Sequence, residues 1–215
     1  MDEETIAAAL ALAEEYDEIY AIVGRHPNSA EGFGDADIEP IARAARHPKA
    51  VAIGETGLDY FRDYAPREDQ ALAFQAHMAL ARELEMPLVI HTRAAEDDTL
   101  AALEAGAEDV TVVMHCFSMP DRLEQCVERG YMCSFAGNVT YQKAADLQDA
   151  ATRVPDHLLL VETDAPFLTP EPLRGKPNTP ANVEHTARRV AELRGVSYEE
   201  LEALVERNAA RVFGW

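Results

Sequence analysis

The chain has 215 residues, of which 47% are hydrophobic, and this is enough for one globular domain with a substantial core. Its formal net charge is −20, with lysine only at Lys49, Lys143 and Lys176, which argues against a protein that coats nucleic acid through a basic face. No apolar run is long enough to cross a bilayer.

The predicted elements alternate between strand and helix along the whole chain, which indicates βα units around a parallel sheet. In chain order they are a helix at 3–16, a strand at 20–23, a helix at 38–46, a strand at 51–55, a helix at 67–85, a strand at 87–91, a helix at 97–104, a strand at 110–115, a helix at 120–128, a strand at 131–136, a helix at 144–152, a strand at 158–161, and two closing helices, one from near Pro180 and one from a capping box of Ser197 and Glu200. The buried stripe of helix 67–85 is predicted to consist of Leu72, Phe74, Met78, Ala81 and Leu84. A closed (β/α) barrel needs about eight strands, whereas this pattern predicts six.

Four of these strands end at or close before a residue that can bind a metal. The residues are Glu55, His91, His115 and Asp164. Each one alone is explained as well by a core histidine with satisfied neighbours or by a solvated acidic turn, but four such endings favour a shared site. The C-terminal ends of barrel strands converge on one face, so ligands far apart in sequence become neighbours. Two imidazoles with two carboxylates suit Zn²⁺, Mn²⁺ or Fe²⁺ and tolerate Mg²⁺ less well.

The N-terminus indicates a cytoplasmic protein, and the cysteines indicate free thiols. Residues Met1-Asp2-Glu3-Glu4 are acidic where a secretory signal is basic. Cys116, Cys126 and Cys133 are odd in number and form no CxxC pair. We therefore expect reduced, mostly buried thiols rather than disulfides or a zinc cluster.

Several longer motifs occur together and in a fixed order. They are Gly24-x-His26-Pro27, Gly54-Glu55-Thr56-Gly57-Leu58-Asp59-Tyr60, His91-Thr92-Arg93, His115-Cys116-Phe117-Ser118, Glu162-Thr163-Asp164-Ala165-Pro166-Phe167-Leu168, Arg174-Gly175-Lys176-Pro177-Asn178-x-Pro180 and Asn208-x-x-Arg211-x-Phe213-Gly214. In these motifs the chain resembles the TatD-type metal-dependent hydrolases over essentially all of its length. The resemblance implies one hydrolase domain over residues 1–215, with an α/β fold of the TIM-barrel, amidohydrolase type, two divalent metal ions and deoxyribonuclease activity.

The resemblance also implies a role for each candidate residue. Glu55 would bridge the two metals, and His91 and His115 would complete the site of the second. Asp164 would bind the first metal and accept the proton of the attacking water, which is chemistry that a carboxylate beside a metal-bound water can perform. The residues expected to face the substrate are His26, Asp59, Arg93, Arg174 and Lys176. For two of these a plainer alternative stays open, namely that Asp59 caps a helix and that Arg93 pairs with Glu96 at the surface.

The chain departs from the family pattern at one motif. Family members open with a strand that ends in H-x-H, whose two histidines hold the first metal, and no two of the seven histidines here are separated by one residue. We therefore expect an incomplete barrel that lacks the first two strands. A mis-set start is favoured as the explanation, while a true truncation that leaves one metal or none, and a second chain that covers the gap, stay open.

The leading hypothesis is a metal-dependent hydrolase, a deoxyribonuclease that cleaves phosphodiester bonds with a metal-activated water. DNA or another phosphodiester would be bound through the metal cleft only, with no membrane and no obligate protein partner. Zn, Mn and Mg are not distinguished by the sequence. The alternatives are a hydrolase of a small amide or ester, since fold does not decide substrate, and a weak or inactive remnant that acts as a binding or scaffold protein.

Overall fold

A computed structural model describes residues 3–215 of the chain. Met1 and Asp2, which contribute to the acidic N-terminus, lie outside the described residues. Within 3–215 no helix combines the length and the apolar character needed to span a bilayer.

Eight α-helices and six strands alternate through the described residues, as the sequence pattern predicts. They are α1 Glu3–Glu15, β1 Ala21–Val23, α2 Asp35–Ala45, β2 Ala50–Asp59, α3 Arg67–Glu83, β3 Leu88–Arg93, α4 Glu96–Gly106, β4 Val112–Met114, α5 Leu123–Glu128, β5 Met132–Phe135, α6 Ala145–Arg153, β6 Leu159–Val161, α7 Val183–Arg194 and α8 Tyr198–Phe213. The strands form one sheet in the order β1-β2-β3-β4-β5-β6, and neighbours such as β1 and β2, β2 and β3, and β5 and β6 are parallel.

The fold divides into two compact units, of which the first ends at Val113 and the second runs from Met114 to Trp215. The single hydrolase domain expected over residues 1–215 stays a prediction. In the first unit the strand residues Ile53, Leu88 and Ile90 are fully buried, which is the pattern of parallel strands covered on both faces.

Strand β2 continues four residues beyond its predicted end, so Glu55 lies inside the strand. The pairing of β2 with β3 shifts register between Ile53 and Thr56 and then resumes as far as Asp59 opposite Arg93. Gly54 occupies this irregularity with φ of 145°, and a Cβ there would lie 2.6 Å from the carbonyl oxygen of Val89. Glycine therefore allows the strand to bulge and continue where the sequence pattern alone predicted an end.

The predicted buried stripe of α3 is confirmed for Phe74, Met78 and Ala81 and is wrong for Leu72, which is 44% exposed. It is also wrong for Leu84, which follows the last residue of α3 and is half-buried. Leu72 precedes Phe74 by two residues and so lies on the opposite face of the helix. The polar side chain of Gln70 is instead completely buried on the face that carries Phe74.

In the second unit α8 is joined to the start of β6 through Asn208. This side chain is buried, and its Nδ2 donates to the carbonyl oxygens of Asp156 at 2.7 Å and Leu159 at 2.8 Å. The predicted capping box at the start of α8 is confirmed, since Ser197 and Glu200 exchange hydrogen bonds at 2.9 and 3.1 Å.

The predicted state of the cysteines is confirmed. All three are free thiols, with Cys126 and Cys133 buried and Cys116 half-buried.

Candidate metal centre

Three side chains of the first unit form a group that can hold a metal ion. His26 follows β1, Glu55 lies in β2 and His91 lies in β3, and one ligand atom from each lies within 4.8 Å of the others. Nε2 of His26 is 3.9 Å from Oε2 of Glu55, and the rings of His26 and His91 meet edge to face with centroids 4.5 Å apart. Two imidazoles and a carboxylate suit a divalent transition metal.

The position of His91 depends on the residue opposite it in the sheet. The register of β2 and β3 pairs Gly57 with His91. Gly57 has φ of 134°, and a Cβ at this residue would lie 2.0 Å from the carbonyl oxygen of His91. Only glycine allows the two strands to approach so closely here.

His26 is better suited to donate a hydrogen bond than to bind a metal. Its Nδ1 accepts the backbone N–H of Asn28 at 3.1 Å, so the neutral ring carries its proton on Nε2, the nitrogen that faces Glu55. Burial, and then the nearby His91, lower the pKa of His26 to about 4, which keeps the ring neutral near pH 7. A metal on Nε2 would displace that proton and break the bond to Asn28. The substrate-facing role of His26 stays a prediction.

Asp59 is buried and orients its neighbours. Its Oδ1 accepts the backbone N–H groups of Phe61 and Arg62 at 3.0 and 2.8 Å. Its Oδ2 accepts Nδ2 of Asn28 at 3.0 Å and lies 3.2 Å from Nε2 of His91. Burial raises the pKa of Asp59, but these hydrogen bonds lower it by a larger amount. The net pKa is below its ordinary value, so the carboxylate stays ionised. A carboxylate on one ring nitrogen sets the tautomer of a histidine and leaves the other nitrogen for a metal.

The alternative that Asp59 caps a helix is wrong, since α3 begins at Arg67 with Pro66 at its N-cap. The predicted contact between Asp59 and substrate stays a prediction. Beside it, Oδ1 of Asn28 is buried and has no hydrogen-bond partner within residues 3–215, so an acceptor is left over in this part of the first unit.

In the second unit His115, Glu162 and Asp164 form a second group. His115 follows β4, and the two carboxylates follow β6. Nδ1 of His115 is 2.9 Å from Oε1 of Glu162, and its Nε2 is 3.7 Å from Oδ1 of Asp164. With the proton on Nδ1, the Nε2 lone pair is directed to the side where Asp164 lies. Two ligands of one tetrahedral zinc lie roughly 3.3 Å apart, so this pair fits a shared ion with little movement.

Glu162 is a candidate site residue that the sequence analysis did not assign. It lies within a recognised motif and directly follows β6, but its contact with His115 joins residues far apart in the chain. The same Oε1 accepts the backbone N–H of Cys116 at 3.2 Å, which fixes the carboxylate in place. A carboxylate after a strand was the available signal, and nothing local to it identifies the histidine partner.

The loop that carries Asp164 is held by the buried side chain of Asn178. Nδ2 of Asn178 donates to the carbonyl oxygens of Thr163 at 2.9 Å and Phe167 at 2.5 Å. Asp164 itself has φ of 54°, an uncommon conformation that surrounding contacts must maintain. The motif residue Asn178 therefore positions the candidate proton acceptor.

The predicted substrate-facing cations are exposed. The guanidinium of Arg93 lies over the ring of Phe61 at 4.0 Å, and within the described chain it forms no ion pair with Glu96, so that alternative is wrong. Arg174 lies over Tyr141 at 4.2 Å and lines a cavity of about 280 Å³. Lys176 follows on the same loop and is exposed. Their contact with substrate stays a prediction, as does the convergence of Glu55, His91, His115 and Asp164 on one cleft.

Comparison with known proteins gives a consistent result across the whole chain. The family described as TatD related DNase matches residues 1–214. A relative from Bacillus subtilis, named as an uncharacterized metal-dependent hydrolase, YabD, is 41% identical over 214 residues, which cover 99% of this chain and 84% of the relative. The 3'-5' ssDNA/RNA exonuclease TatD of Klebsiella pneumoniae is 35% identical over 213 residues, which cover 96% of this chain and 81% of the relative.

Solved structures agree. The TatD homologue YJJV of Escherichia coli K12 superimposes with a TM-score of 0.92 at 31% identity, over 100% of this chain and 84% of that protein. An Entamoeba histolytica hydrolase of the TatD family has a TM-score of 0.86 at 20% identity, over 97% of this chain and 80% of that protein, and supports the fold alone. The predicted α/β fold of the TIM-barrel type is confirmed, and the absence of two strands stays a prediction.

Proposed function

The chain belongs to the TatD related DNase family of metal-dependent hydrolases, and we propose that it is a nuclease that hydrolyses phosphodiester bonds of DNA. The observation that carries the proposal is the arrangement around His115, with Glu162 on Nδ1 and Asp164 at 3.7 Å from Nε2. In this geometry Nε2 of the imidazole is available to bind a metal, and the carboxylate of Asp164 beside it can accept a proton. A relative named as an exonuclease of single-stranded DNA and RNA supports a nucleic acid substrate.

The proposed metal ligands are Glu55, His91, His115 and Asp164. Divalent ions bound by them, two with Glu55 as the bridge, would lower the pKa of a water molecule and stabilise charge on phosphate oxygens. The carboxylate oxygens and imidazole nitrogens of these residues are suitable ligands for such an ion.

The protein's own groups have distinct tasks in this proposal. Asp164 accepts the proton of the attacking water, and Glu162 keeps His115 in the tautomer whose Nε2 is an acceptor. His26, neutral and protonated on Nε2, donates to a substrate oxygen. The exposed cations of Arg93, Arg174 and Lys176 hold phosphate oxygens, for which a guanidinium offers paired donors. We also propose that the protein is cytoplasmic and acts without an obligate protein partner.

The proposal is tested by metal analysis of the purified chain together with hydrolysis of end-labelled single-stranded DNA after loading with Zn²⁺, Mn²⁺ or Mg²⁺. Asp164→Asn should lower the rate by roughly 10²- to 10⁴-fold, the usual contribution of a positioned general base. The exposed Glu206→Gln on α8 is the matched control and should leave the rate unchanged. Glu55→Gln should lose metal as well as rate, and unchanged metal content would exclude the bridging role.

Other outcomes decide between the alternatives. Hydrolysis of small esters or amides without cleavage of DNA would identify the small-substrate hydrolase. A chain that binds no metal and hydrolyses nothing would be the binding or scaffold remnant.

A further inference from the structure

Two large aromatic side chains of the first unit are exposed beside its candidate metal group. Phe61 is 65% exposed and Tyr64 is 63% exposed, both in the loop between β2 and α3. A single exposed apolar side chain is common on protein surfaces, but exposed aromatic rings that occur together beside a candidate site can mark a binding surface. Asp59, which contacts His91, immediately precedes this loop.

An arginine guanidinium lies close to each aromatic ring of this loop. The guanidinium of Arg93 lies 4.0 Å from the ring centroid of Phe61, and that of Arg62 lies 5.8 Å from the centroid of Tyr64. A third arginine, Arg67, lies 3.9 Å from the ring of Tyr60. Residues 1–113 hold only 8 of the 19 Lys and Arg residues of the chain against 24 of its 39 Asp and Glu residues. In the acidic half of the protein, three arginines therefore gather on three aromatic rings.

The loop is held rigidly although its rings are exposed. Oδ1 of Asp59 accepts the N–H groups of Phe61 and Arg62 at 3.0 and 2.8 Å. The buried side chain of Gln70 accepts the N–H of Asp59 at 2.8 Å and donates to the carbonyl oxygen of Ala65 at 2.9 Å. Because the loop is already ordered, a ligand that binds to the rings pays little additional conformational entropy.

We propose that Phe61 and Tyr64, with Arg93 and Arg62, form a stacking platform for the bases of a single-stranded nucleic acid. The inference rests on the nuclease function proposed above and names the side chains of this chain that would bind the bases. A ring with an adjacent guanidinium matches the two parts of a nucleotide, since a base stacks on the ring and a phosphate accepts from the cation. A duplex hides its base faces within its own stack, so it cannot use the platform without opening.

The platform is tested by binding, with the divalent ion removed by EDTA so that no hydrolysis occurs. The probes are a single-stranded oligonucleotide that contains the fluorescent base 2-aminopurine and a strand of equal length made of abasic residues. We expect the fluorescence of 2-aminopurine to be quenched when the base stacks on the platform of wild type. Phe61→Leu should weaken binding of the first probe by roughly 5- to 150-fold, the usual contribution of one stacked base, and should remove this quenching. Phe61→Tyr should keep both, and the abasic strand should bind wild type and Phe61→Leu alike.

The matched control is Tyr20→Leu. Tyr20 belongs to the same unit, is 38% exposed and lies under the ammonium of Lys49 at 4.6 Å, but it precedes β1, whereas Phe61 follows β2. It is therefore a ring and cation pair at the opposite end of the parallel strands, and its replacement should change neither affinity nor quenching.

The outcomes separate this inference from the proposed function. If wild type cleaves DNA and Phe61→Leu binds both probes as wild type does, the platform is refuted and the nuclease stands. Equal weakening of the abasic strand would also overturn stacking, because the effect would then not depend on bases. If wild type neither binds nor cleaves nucleic acid, both fail.

Discussion

Lowering the pH should destabilise the folded chain because His77 becomes protonated. Replacing His77 by a residue that cannot take up a proton should remove that effect. His77 lies in α3 and is completely buried. Its Nδ1 donates to the carbonyl oxygen of Ala73 at 2.6 Å, and its Nε2 accepts the backbone N–H of Arg25 at 2.9 Å. Both ring nitrogens therefore have hydrogen-bond partners in the neutral form. Protonation of Nε2 would break the hydrogen bond from the backbone N–H of Arg25, which is next to the candidate residue His26.

The magnitude follows from the pKa. Burial lowers the pKa of His77 to about 4 from its ordinary value of 6.5. Since the folded state then binds fewer protons than the unfolded state, the stabilisation is complete above pH 6.5 and is lost as the pH falls from about 6.5 to about 4. The difference between the two pKa values corresponds to about 3 kcal/mol in the free energy of unfolding.

The assay is urea unfolding of wild type and His77→Gln across this pH range. Glutamine can still donate or accept one of the two hydrogen bonds but cannot take up a proton. The variant should be less stable than wild type near pH 7.5, and the difference should shrink by about 3 kcal/mol towards pH 4. His26, whose pKa is also lowered, acts in the same direction in both proteins and cancels in the comparison. A constant difference at every pH would refute the reasoning.

Three further predictions concern single contacts. Glu162→Gln removes the carboxylate from Nδ1 of His115 and should lower metal affinity or activity by roughly 10- to 100-fold, measured by metal titration and DNA hydrolysis, so wild-type values would contradict the positioning role. Gly57→Ala places a Cβ 2.0 Å from the carbonyl oxygen of His91 at a strained φ, and urea unfolding should show a loss of about 3 kcal/mol or more, with unaltered stability as the contrary result. Asn208→Ala leaves two backbone carbonyls near the start of β6 without their donor and should cost roughly 1–3 kcal/mol in the same assay, whereas a change of a few tenths would show that water replaces it.

The sequence by itself determined the order of the elements and the positions of most candidate ligands. Runs of apolar residues and their punctuation are local signals, so they predict the six strands and place His115 and Asp164 after strand ends. The predicted end of the third strand at His91 is wrong, because β3 continues to Arg93. The family motifs added the fold class and the enzyme class, because each motif is a continuous stretch that can be read without the tertiary structure.

Tertiary structure decided the register and the hydrogen bonds between distant residues. It carried β2 past Glu55, because the bulge at Gly54 depends on the close approach of Val89. It buried Gln70 rather than Leu72, and it gave His115 its partner in Glu162. A sequence pattern reports periodicity within one element, whereas the proton position on an imidazole depends on which atoms another strand or loop brings to each nitrogen.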